Sequence, residues 1–149
     1  MRLADARNHY RALVLALDRI SAADYEHALK TREAEALTQH VYPLERPFEI
    51  LDNYVVELAR AGLELEGKES AGTASAVLER LHADGVISEA RRKKLRDVND
   101  RRNELQHEYP DARAALVYEA ATVLVAELPG FFRDYGAWMR ALGFGEQRA

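Results

Sequence analysis

Residues 47–63, PFEILDNYVVELARAGL, decide how this chain folds. Phe48, Leu51, Tyr54, Val55 and Leu58 recur at intervals of three and four, which puts them on one side of a helix with a period of 3.6 residues. The stretch predicts a strongly amphipathic helix from about Pro47 to Leu63. A helix of that kind must bury its apolar stripe against others.

The same periodicity recurs on both sides. Residues 3–20 predict a first helix with Tyr10, Leu13, Val14 and Leu17 on one face. Ser21 caps a second that runs to about Tyr42, and Pro43 and Pro47 bracket a kink or short break. Residues 62–72 read as a loop. Thr73 opens a short helix that stops at Asp84-Gly85, and Ser88 caps a long basic helix ending near Tyr109. After Pro110-Asp111, a last helix carries Leu116, Val117, Ala120, Val123, Leu124 and Leu128. Pro129-Gly130 should kink or break it ahead of the aromatic residues Phe131, Phe132, Tyr135 and Trp138. These aromatics suit a core or a dimer surface. The expected architecture is an all-α, up-and-down bundle of five or six helices, one domain over residues 1–149, with 143–149 frayed.

Composition narrows the chemistry. The 149 residues contain no cysteine, which excludes disulfides, thiolate metal sites and cysteine nucleophiles. No HExxH, no His/Asp/Glu cluster with metal-ligand spacing and no glycine-rich phosphate loop occurs, so neither metal nor cofactor is expected. No apolar run is long enough for a membrane span and the N-terminus lacks a signal-peptide pattern, so the expected location is cytoplasmic. A formal charge of −4 argues against a general nucleic-acid coat protein. Residues 91–102, RRKKLRDVNDRR, nevertheless hold seven Arg/Lys against two Asp. Such a run is either a solvated helix face or a phosphate-attracting one.

Beyond that run the stripe Leu95, Val98, Arg102, Leu105, Tyr109 has an arginine where an apolar residue belongs. A buried, permanently charged group needs a partner, a substrate anion or a wet cleft. Arg102, Gln106 and Tyr109 share one side of the helix, and Asn103 and His107 stack on the adjacent strip; Glu104 and Glu108 fall on the far, solvated side. The arginine fork matches phosphate oxygens, and an imidazole in a last helical turn can take and return a proton. Asn103 is within reach to orient the ring. Arg101 is the competing arginine, but the stripe favours Arg102 as the inward one.

The segment Arg102-Asn103-x-x-x-His107-x-Tyr109 resembles the Arg-x-x-x-x-His-x-Tyr motif of the HepT-like toxins of the HEPN superfamily. Flanking features agree over roughly residues 25–142: Leu78, Leu81 and Gly85-Val86-Ile87 before the motif, and Val117-Tyr118-Glu119 and Leu128-Pro129 after it. Gln106 departs from the aliphatic residue common before the histidine and makes the wall of the pocket more polar. The resemblance implies a metal-independent endoribonuclease toxin of a type VII-like toxin–antitoxin pair, cleaving RNA in a homodimer cleft through Arg102 and His107. It also implies silencing by a cognate MntA-like nucleotidyltransferase that places AMP covalently on Tyr109. Two other readings remain: a non-catalytic helical module binding nucleotide or a partner protein, and a basic-helix nucleic-acid binder without turnover.

Overall fold

A computed structural model describes residues 3–105 and 114–144. Among these it contains seven helices and no strand: α1 Leu3–Arg19, α2 Ala22–Thr31, α3 Ala34–His40, α4 Tyr42–Leu65, α5 Ala74–Ala83, α6 Glu89–Glu104 and α7 Ala114–Ala141. The expected all-α class holds. The count exceeds five or six because the single helix expected between Ser21 and Tyr42 is two. Arg32 takes a left-handed conformation (φ 55°) and its N–H closes α2 on the Ala28 carbonyl. No glycine or proline marks that stop.

Local capping sets most other boundaries. The side-chain oxygens of Ser21, Thr73 and Ser88 accept from the backbone N–H groups of Asp24, Ala76 and Arg91, each at 3.1 Å, satisfying donors that the first helical turn leaves open. At the far end of α5, Gly85 (φ 79°) lets the Val86 N–H reach the Leu81 carbonyl at 2.8 Å. Gly143 (φ 92°) closes α7 in the same way, with the Phe144 N–H on the Met139 carbonyl at 2.8 Å. Residues 145–149 lie outside the described residues.

Three prolines lie within helices. Pro43 enters at the first turn of α4 and Pro47 lies in its second, so α4 begins earlier than the stretch 47–63. Pro129 does not break α7. The carbonyl a proline leaves without its usual N–H is that of residue i−4, here Val125, and the Tyr10 hydroxyl donates to it from α1 at 3.4 Å. Gly130, next in line, gives room to Arg91: a Cβ there would collide with the guanidinium, which pairs with Glu127 and Asp134 one turn to either side.

α4 and α7 run through the core. α1 packs along α4, α6 along α7 and α5 along α6, while α7 also meets α1, α2 and α4. Phe48, Leu51, Val55, Ala59 and Leu63 of α4 are buried with Leu95, Val98, Leu124, Leu128 and Phe131. The aromatic residues of α7 are mainly core: Phe131 is fully buried, and Trp138 lies over Gly62 with its indole N–H donating to Glu66 Oε1 at 2.7 Å. Tyr118 ties α7 to the end of α1 by donating to the Ile20 carbonyl at 2.6 Å.

Candidate functional site

The C-terminal half of α6 crosses α4 at a polar break in both apolar stripes. On α4 the spacing Phe48, Asp52, Val55, Ala59 places a carboxylate on the buried side; on α6, Leu95, Asn99, Arg102 does the same with an amide and a guanidinium. Asp52 and Asn99 are the buried polar residues among those described, at 1% and 5% exposure. They meet: Asn99 Nδ2 donates to Asp52 Oδ2 at 2.7 Å, and Arg102 Nε donates to the same oxygen at 3.3 Å. Asn103 Nδ2 extends the chain to Asn99 Oδ1 at 3.4 Å.

The arginine in the stripe thus has a partner in the protein. Its side chain is 14% exposed and that of Asp52 is 2%. Burial pushes the Asp52 carboxyl above its ordinary value of 3.8, against the hydrogen bonds from Asn99 and Arg102 that favour its charged form. Because the carboxylate engages Nε, the two terminal Nη groups of Arg102 remain without a hydrogen-bond acceptor among the described residues. Those are the two donors that a phosphate would take.

Arg102 also borders open space. With Asn99 and Asn103 of α6, Asn53 and Arg60 of α4, and Ser75 of α5, it lines a cleft of about 580 Å³. Arg101 faces elsewhere and pairs with Glu104 Oε1 at 2.8 Å. Glu104, expected on a solvated side, has a side chain that is only 12% exposed. Of the predicted site residues, the structure brings together Arg102 and Asn103; Gln106, His107 and Tyr109 lie outside the described residues.

Three of the seven basic residues in the run have a different use. Arg91 binds Glu127 at 3.2 Å and Asp134 at 2.9 Å, Lys94 reaches Glu127 at 3.4 Å, and Arg92 pairs with Glu79 and Glu89. These contacts fasten α6 to α7 and to α5, so part of the run's positive charge is neutralised within the fold. Among the described residues no group of three His, Asp or Glu side chains is placed to hold a metal ion, and no helix is long and apolar enough to cross a membrane.

Sequence reasoning missed Asp52 and Asn99. A signal was present: Asp52 sits at a stripe position of α4 just as Arg102 does on α6, and two opposite charges at seam positions of separate helices are candidates for pairing.

A family model described as "Ribonuclease HepT-like" matches residues 16–134. The chain belongs to the HepT-like family. The match contains Asp52, Asn99, Arg102 and the whole cleft, and it begins earlier in the chain than the resemblance read from residues 25–142. No curated protein and no solved structure matches the chain. Asp52, which accepts from Arg102 Nε, lies within that matched region.

Proposed function

We propose that the protein is a metal-independent endoribonuclease toxin that acts as a homodimer. Arg102 and His107 would be the catalytic residues, with Asn103 and Gln106 in support. The observation that carries this reading is Arg102 itself: a guanidinium held through Nε by a buried carboxylate, at the edge of an open cleft, in a chain of the HepT-like family.

In the proposed reaction the Arg102 Nη groups hold the non-bridging oxygens of the scissile phosphate and stabilise the charge that develops on them. His107 takes the proton of the ribose 2′-hydroxyl. The 2′-oxygen bonds to phosphorus, and the bond to the 5′-oxygen breaks. That leaving oxygen receives a proton from the second protomer's imidazole, leaving a 2′,3′-cyclic phosphate and a free 5′-hydroxyl. A positioned acid–base group contributes about 10²–10⁴-fold to such a step.

Silencing by a cognate MntA-like nucleotidyltransferase follows from the same chemistry. AMP joined to the Tyr109 hydroxyl would add an anionic phosphate that competes with the substrate phosphate for Arg102. Intact-mass measurement after incubation with ATP and the nucleotidyltransferase is expected to show added AMP, absent in Tyr109→Phe. The ribonuclease itself is tested by RNA degradation in EDTA, lost in Arg102→Ala and His107→Ala. The rival reading, a non-catalytic module that binds nucleotide or a partner protein, predicts no turnover and no growth arrest on expression.

A further inference from the structure

The cleft beside Arg102 is more than the mouth of a phosphate site. It runs between α4, the first turn of α5 and the end of α6, and at about 580 Å³ it falls in the range of pockets that take small molecules, roughly 300–1,000 Å³. Its charges cancel: Arg60 and Arg102 stand against Glu57 and Asp100. Arg60 is already spent on the loop before α5, donating to the Ser70 carbonyl at 2.5 Å and the Gly72 carbonyl at 2.9 Å. A row of phosphates would find little net attraction there.

What remains is neutral hydrogen-bonding chemistry around an apolar floor. Asn53 and Ser75 supply an amide and a hydroxyl, beside Asn103 and Thr73, which each already make one hydrogen bond, and the buried Val56 also lines the cleft. Asn53 and Ser75 are exposed, and neither side chain makes a hydrogen bond to another described residue. Amides and hydroxyls over a small apolar surface suit a base and its ribose, and the charged end of the cleft, at Arg102, suits the phosphate joined to them.

We infer that this cleft seats one unpaired nucleotide of the substrate, adjacent to the phosphate held by Arg102. The inference deepens the ribonuclease reading and rests on it for the substrate class. The base must be unstacked to enter, so single-stranded RNA is the form recognised. Carboxamides pair with the N6 and N7 atoms of adenine, which makes adenine the expected first choice.

The test uses the full chain with two probes, AMP and ribose 5-phosphate, followed by calorimetric or NMR titration. AMP is expected to bind at least about tenfold more tightly than ribose 5-phosphate, the size of one to two good hydrogen bonds. Asn53→Ala and Ser75→Ala should each weaken AMP by several-fold and leave ribose 5-phosphate unchanged, with melting curves like the parent's. Equal binding of the two probes, no binding of AMP, or AMP affinity untouched by both variants overturns the site. RNA cleavage by the same preparations is read separately. AMP selectivity without cleavage keeps the nucleotide site and removes the ribonuclease; cleavage without AMP selectivity does the reverse.

Discussion

The two ends of α6 carry similar side chains and do opposite things with them. At its start, Arg91, Arg92 and Lys94 are matched by Glu127, Asp134, Glu79 and Glu89, and their charge is consumed in joining helices. At its end, Arg102 meets one buried carboxylate among the described residues, through Nε, and borders a cleft. Basic residues in a row are thus poor guides to function; the partner each one meets decides. A cation with acids on both sides is a fastener, whereas one anchored from behind is poised toward a ligand.

That contrast can be broken most forcefully at Asp52. Asp52→Ala removes the buried carboxylate that Arg102 and Asn99 share, and thermal or chemical unfolding should register a loss of about 3–5 kcal/mol. Asp52→Asn keeps the shape and an acceptor oxygen, and its stability should stay within about 1.5 kcal/mol of the parent. Equal losses in the two variants would mean that packing, not the polar network, holds this crossing together.

At the fastening end, Arg91→Ala should lower stability by about 1–3 kcal/mol while RNA cleavage per folded molecule persists. Gly130→Ala tests the same fastener from below. Its methyl group meets the Arg91 guanidinium, so unfolding should show a loss of about 1–3 kcal/mol, and much less when Arg91 is already alanine. If the two substitutions are additive, the guanidinium is not seated on Gly130 in solution.

These contacts also mark how far the sequence could be read. The caps at Ser21, Thr73 and Ser88 and the glycine stop at Gly85 were legible because each is decided within a few residues of itself. The break at Arg32 was not, since its left-handed turn has no glycine to announce it. Pro129-Gly130 reads as a kink or a break, and the helix continues unbroken, because the compensating groups, Tyr10 and Arg91, come from α1 and α6. The site divides along the same line. Arg102 stood out as a charge in an apolar stripe, but the carboxylate that explains it lies 50 residues away and becomes visible only when α4 and α6 are laid together.

A smaller effect follows from the raised carboxyls. Burial raises Asp52 above 3.8 and Glu45, hydrogen-bonded by the Tyr25 hydroxyl at 2.5 Å, above 4.5. The folded state then holds these protons more tightly than the unfolded chain. Their contribution to stability is greatest at low pH and declines as pH rises through the window above those ordinary values. Asp52→Asn should flatten that slope in unfolding measured from pH 4 upward; an unchanged slope would assign it elsewhere. Smallest of all, Arg96→Ala should shift stability by no more than about 0.5 kcal/mol, because its ion pair with Asp97 is solvent-exposed.

The most direct measurement is RNA cleavage in EDTA by the parent, Arg102→Ala and His107→Ala at matched folded concentration. The account predicts a parent rate that falls by about 10²–10³-fold in Arg102→Ala and at least about 10²-fold in His107→Ala, with melting curves showing that both variants fold. Cleavage undiminished in folded Arg102→Ala would contradict it.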